Sequence, residues 1–173
     1  MSLLETQNFL ARIYTDENLR REFLSAPEKI GDRHALSKPE IVEILQIFHE
    51  EINAFAESLV WKRLREVEKL LPLTREKLNT EFVYYFRRFA PTFNSRSVKK
   101  HLDDALCFAN YLQNCETVSG FVKNAAKYER AKIEFYALNK KIVLRNFDYD
   151  LQTGIQKKHF KIWLRIGKRE FVF

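Results

Sequence analysis

The stretch KHFKIWLRI, Lys158 to Ile166, decides how the chain is read. Phe160, Ile162, Leu164 and Ile166 alternate with His159, Lys161, Trp163 and Arg165. Strict alternation over eight residues is the pattern of a half-buried β-strand, because successive side chains leave a strand on opposite faces. One face of this strand is apolar, and the other is basic with one large aromatic. Just upstream, KKIVLRNFDYDL (140–151) is β-branched and aromatic with no helical period, and QTG (152–154) is a turn signal. Just downstream, Gly167-Lys168 turns the chain into REFVF. The expectation is a three-stranded antiparallel meander with its apolar face packed on a helix and its other face wet.

Everything before residue 139 reads as helical. Leu3, Leu4, Phe9, Leu10 and Ile13 form one helical stripe. Thr15 or Asp16 caps a second helix with Leu19, Phe23 and Leu24. Ser37 followed three residues later by Glu40, with Pro39 in the first turn, has the spacing of a capping box. From there Ile41, Leu45, Phe48, Ile52, Phe55 and Leu59 step by four and three, and the stripe resumes through Val60, Leu64, Val67 and Leu71. No Gly or Pro interrupts it before Pro72, so a single helix of roughly 33 residues, about 50 Å long, is expected. Thr74 reads as the N-cap of the next helix, which runs through Phe82, Tyr85, Phe86 and Phe89 until Pro91. A further helix carries Leu102, Leu106, Ala109 and Leu112, and a last one covers about 119–138. The fold class is therefore α+β: a mainly α-helical body, residues 1–138, followed by a small three-stranded antiparallel appendage, residues 139–173.

The 173 residues carry 15 Phe and 7 Tyr but only 4 Gly and 4 Pro. That composition fills a core and excludes a Gly-rich phosphate cradle. No apolar run approaches the roughly 18 residues of a membrane helix. The opening MSLLETQNFLARIYTDE is acidic and amphipathic, unlike a signal peptide, and a cytoplasmic protein is expected. Cys107 and Cys115, eight residues apart in a helical pattern, are about 12 Å apart by helical rise and read as free thiols rather than as a bridge.

Charge is uneven along the chain. Residues 1–60 hold 6 Lys/Arg against 11 Asp/Glu, residues 61–115 hold 11 against 6, and residues 116–173 hold 13 against 6. The basic remainder points to an acidic partner or nucleic acid. Four histidines, His34, His49, His101 and His159, show no metal spacing. His101 and Asp104 share a helical face, but nothing nearby completes three ligands, and His49 beside Glu50 and Glu51 is no stronger. The neighbouring carboxylates Glu50–Glu51 and Asp103–Asp104 point about 100° apart in a helix and share no substrate atom. The serines Ser58, Ser95, Ser97 and Ser119 lack a nucleophile elbow. No catalysis, cofactor or metal is expected.

Binding is the stronger reading. Lys62, Arg63, Arg65 and Lys69 give α-helical residues 61–71 a basic character, with Glu66 and Glu68 interleaved. On the terminal strand, His159, Lys161, Trp163 and Arg165 combine Trp with Arg, an interface composition. Such a face would either read a peptide that adds as a strand or stack single-stranded bases between basic flanks, with Arg87–Arg88 adding charge.

Several phrases in the first two-fifths carry a family likeness: Tyr14-Thr15-Asp16, Leu19-Arg20, Phe23, Pro27, Leu36, Phe55-Ala56, Ser58-Leu59, Lys62-Arg63, Val67 and Leu71-Pro72-Leu73-Thr74. Over roughly residues 9–78 the chain resembles the small helical partner proteins of iron-dependent enzymes that modify ribosomally made peptides, of the methanobactin-pathway type. The resemblance implies a helical body that docks the enzyme and a small C-terminal sheet to which a leader peptide adds as a strand. It implies a natural-product pathway and a non-catalytic role. The peptide-reading residues would then be His159, Lys161, Trp163 and Arg165, and Lys62, Arg63 and Arg65 would face the larger protein. The sign of Lys161 and Arg165 suits an acidic leader.

Overall fold

The computed structural model describes residues 3–47, 51–95 and 97–173. Nine α-helices among the described residues precede three strands: α1 (Leu3–Thr15), α2 (Glu17–Ser25), α3 (Pro27–Arg33), α4 (Lys38–Ile47), α5 (Asn53–Leu70), α6 (Pro72–Leu78), α7 (Glu81–Phe89), α8 (Lys100–Asn114), α9 (Gly120–Lys132), β1 (Ile142–Tyr149), β2 (Gln156–Ile166) and β3 (Arg169–Val172). The class is α+β, as the periodicities require. Phe48, His49 and Glu50 of the expected 33-residue helix lie outside the described residues. Residues 51–52 are wound in the wider π form before α5 continues.

The chain forms two compact units, Met1–Lys62 and Arg63–Phe173. The division differs from a boundary at residue 138, because the sheet shares one unit with the helices that immediately precede it.

In the first unit, Phe9, Ile13, Leu19, Phe23, Ile30, Leu36, Ile41, Ile44 and Ile52 form the buried core. The Phe9 and Phe23 rings meet edge to face at 5.3 Å. Caps start the helices where the sequence places them. Asp16 Oδ1 accepts the Leu19 N–H at 3.0 Å. Glu40 Oε2 accepts both the backbone N–H and the hydroxyl of Ser37, at 2.8 and 2.6 Å, while the Ser37 hydroxyl receives the Glu40 N–H at 3.4 Å. The hydroxyl of Thr6 on α1 donates to Glu40 Oε1 at 2.7 Å, so the same carboxylate ties α1 to the start of α4.

In the second unit, Phe82, Phe86 and Phe89 of α7 pack on Phe108 of α8 at ring distances of 5.2 to 5.4 Å. Thr74 is not the N-cap of its helix. It lies inside α6, and Leu71 at the cap position offers no side-chain acceptor. The acceptor comes from α9 instead: the buried Glu129 carboxylate takes the N–H groups of Leu73 and Thr74 at 2.7 and 2.9 Å and the Thr74 hydroxyl at 2.6 Å. Ser119 caps α9 through the Val122 N–H at 3.4 Å. A π turn, Ile133–Ala137, continues α9 toward the sheet.

The sheet is an antiparallel meander in the order β1-β2-β3. Val143 pairs with Trp163, Arg145 with Lys161 and Phe147 with His159. Trp163 pairs in turn with Val172, and Arg165 with Glu170.

Candidate functional site: the C-terminal sheet

His159, Lys161, Trp163 and Arg165 share one face of β2, as the alternation demands. That face, however, is turned inward. Trp163 is 1% exposed and packs with Val143, Phe147, Phe135 and Ala131. Its ring lies 5.8 Å from Tyr128 of α9 and 6.4 Å from Phe147. The expectation that the basic face is the wet one is therefore corrected. Period-two alternation fixes which residues travel together and leaves open which set meets the helix. The face that meets the helices brings Trp163, Val143 and Phe147 of the sheet onto Ala131, Phe135 and Tyr128, an aromatic cluster closed on both sides.

The three cationic or titratable neighbours of Trp163 accommodate this without burying bare charge. Their stems cover the core while their heads reach its rim. The His159 ring stacks on Phe147 at 5.5 Å. Lys161 Nζ sits 5.2 Å above the Tyr128 ring. The Arg165 guanidinium lies 4.7 Å above the Phe135 ring and donates to Glu170 Oε1 at 3.0 and 2.6 Å, to Asn139 Oδ1 at 3.0 Å and to the Phe135 carbonyl at 3.3 Å. A cavity of about 170 Å³ opens at this rim, lined by Tyr128, His159, Lys161 and Asp150 among others. Between the π turn and β1, the buried Glu134 is held by Arg130, Lys140 and Arg145 at 3.2, 2.7 and 2.8 Å. Burial alone would raise the Glu134 pKa; the Lys140 hydrogen bond and the three cations outweigh burial and hold it below the ordinary carboxylate value.

The outer face carries the other set. Phe160 is 63% exposed, Ile166 61% and Leu144 53%, and Ile142 and Phe171 are exposed with them. Ile162 and Leu164 are half-buried. Phe173, paired with Ile162 through two 3.0 Å backbone hydrogen bonds, is 70% exposed and stacks on Phe171. Two apolar rows cross all three strands: Ile142, Leu164, Phe171 and Leu144, Ile162, Phe173. The sequence expectation places the β2 members of this face, Phe160, Ile162, Leu164 and Ile166, against a helix, and the structure turns them outward. The signal that could have found them is that both alternate sets of β2 contain large apolar side chains, and a three-stranded sheet with helices on one side buries only one set.

The two edges differ. On β1, Arg145 Nη1 donates to the Leu144 carbonyl at 2.7 Å, and Asn124 Oδ1 accepts the Asp148 N–H at 3.2 Å. Side chains thus occupy two of the backbone groups on that edge. On β3, the doubly bonded Ile162–Phe173 pair sets the phase of the ladder, so the backbone groups of Glu170 and Val172 point away from β2.

The other expected contact residues lie on α5. Lys62 and Arg65 are exposed. Arg63 is spent internally: it donates to Asp104 through Nε at 3.0 Å and Nη2 at 2.8 Å, and to the carbonyls of Ala90 and Phe93 at 3.2 and 2.8 Å. It ties α5 to α8 and to the end of α7, and it is a packing residue of the second unit rather than an exposed contact. Asp104, once considered with His101 for a metal, is the buried acceptor of that clamp. Among the described residues no group of three or more His, Cys, Asp and Glu is placed to hold a metal. Cys107 and Cys115 are free thiols. No described helix is long and apolar enough to cross a membrane. No family model and no curated protein matches the chain.

Proposed function

We propose that the protein is a non-catalytic binding subunit that takes a peptide as an added strand on its C-terminal sheet and docks a larger enzyme, of the iron-dependent peptide-modifying kind that the sequence resemblance implies. The observation that carries the reading is the β3 edge. Four exposed residues end the sheet, with the Glu170 and Val172 backbone groups directed outward and ready to pair. An incoming strand would gain main-chain hydrogen bonds there. Its side chains on one side would meet Phe171 and Phe173, and on the other Glu170 and Val172. Selectivity would thus come from apolar contact more than from Trp163, which lies in the core. Basic groups around the sheet favour an acidic peptide.

The test is affinity capture from the native cells, with nuclease, comparing the wild type with Val172→Pro. Proline at this edge position removes one outward N–H and leaves the ladder to β2 intact. A peptide and an enzyme that survive nuclease, with the peptide lost in the variant, are expected. Recovery of nucleic acid alone, with all protein lost on nuclease treatment, would reverse the reading.

A further inference from the structure

We propose that the outer face of the sheet is a docking surface for an acidic amphipathic helix of another protein. The proposal rests on the binding-subunit reading and deepens it by giving the chemistry of the larger partner. Summed over Ile142, Leu144, Phe160, Ile166, Phe171 and Phe173, the exposed apolar surface is on the order of 700 Å², at the top of what isolated monomers leave open and close to one side of a standard protein interface. The size of the patch calls for a partner.

Its dimensions select a helix. The two apolar rows each cross three strands, which at about 4.8 Å per strand spacing span about 10 Å. An α-helix with its side chains is about 10–12 Å across. Along β2, Phe160 to Ile166 runs about 20 Å, the length of about 14 helical residues. The inner face is already covered this way, with α9 lying against β1 and Trp163 meeting Tyr128.

Charge selects an acidic helix and argues against a second copy. Residues 139–173 hold nine Lys/Arg against three Asp/Glu, a net +6. Three of the nine, Lys140, Arg145 and Arg165, are paired within the unit. Lys158 continues the outer row of β2 beyond Phe160, while Lys168 and Arg169 stand at the opposite end beside Ile166, all three exposed. A second copy would bring the same excess of positive charge to the interface. A helix with carboxylates flanking an apolar stripe meets both the centre and the rim.

The experiment uses the full chain and two labelled helical peptides of about 14 residues. Both carry leucines at i, i+3, i+4 and i+7; one is flanked by glutamates, the other by lysines. Fluorescence anisotropy should show the glutamate peptide binding the wild type and the lysine peptide binding at least tenfold more weakly. A Leu144→Ser/Phe173→Ser double variant, checked by circular dichroism to be folded, should lose at least tenfold in affinity for the glutamate peptide. Val172→Pro should bind it as the wild type does, so strand addition and face docking fail independently. Equal binding of the two peptides, no binding of either, or no loss in the double variant would overturn the proposal. So would a wild-type dimer in sedimentation that the double variant abolishes, since the face would then belong to a second copy.

Discussion

Arg63 and Asp104, 41 residues apart in the chain, meet fork to fork, with the two guanidinium–carboxylate hydrogen bonds at 3.0 and 2.8 Å. Asp104 is 2% exposed, so its charge relies on this partner. The remaining donors of Arg63 close the carbonyls of Ala90 and Phe93. Removing one member of a buried pair leaves the other uncompensated. Arg63→Met is expected to cost about 3 kcal/mol of stability. Urea unfolding checks this, and a change within experimental error would mean that water replaces the clamp.

The inward face of β2 reverses the expectation for Trp163. Were it a surface contact, Trp163→Ala would leave folding nearly intact. As a core residue it should cost about 4 kcal/mol, the range for a buried aromatic cut to Ala. Leu144→Ser, on the outer face, should change stability by no more than about 0.5 kcal/mol. Thermal unfolding of the two variants side by side reads the difference.

Glu40 should contribute an acid-sensitive step. Hydrogen bonds from the Ser37 hydroxyl, the Thr6 hydroxyl and the Ser37 N–H lower its pKa to about 2 from the ordinary 4.5. Its folded value is depressed, so the stabilisation is fully present above 4.5 and is lost as pH falls toward 2. Glu40→Gln should flatten the decline of melting temperature over that window. An unchanged slope would show that the carboxylate does not hold the α1–α4 contact in solution.

Glu129 should behave with the opposite sign. Burial pushes its carboxyl above the ordinary value, and the bonds from Thr74 and Leu73 only partly offset this. The folded protein therefore holds this proton more tightly than the unfolded chain does. The contribution is greatest below 4.5 and declines as pH rises through the folded pKa. Glu129→Ala should remove that decline, and it should cost about 2 kcal/mol by stranding the Leu73 and Thr74 N–H groups. Denaturant titrations at a series of pH values rising from below 4.5 check both parts.

Local grammar was legible where a residue's partner lies within four positions. The Ser37–Glu40 box, the Asp16 cap and the alternation of β2 all follow from near neighbours. Thr74 misled because its acceptor, Glu129, sits 55 residues away on another helix. Arg63 misled for the same reason, since a Lys-Arg pair on a helix looks solvated until the distant Asp104 is seen. The sheet was drawn with the right strands and turned the wrong way round. Choosing the buried side requires weighing Trp163, Phe147 and Phe135 together, and they come from three segments. The outer face, the best candidate for contact, is the set that simple hydropathy assigns to the interior.

The unequal edges limit how many chains the sheet can recruit. Endless stacking of strands, the route to fibrils, needs a donor–acceptor ladder open on both sides. Here the Arg145 and Asn124 side chains interrupt the β1 ladder at Leu144 and Asp148, while β3 stays open. Edge pairing between copies through β3 therefore stops at two chains. Each copy that pairs at Val172 turns its own interrupted β1 edge outward, so the pair offers no open ladder on which a filament could grow.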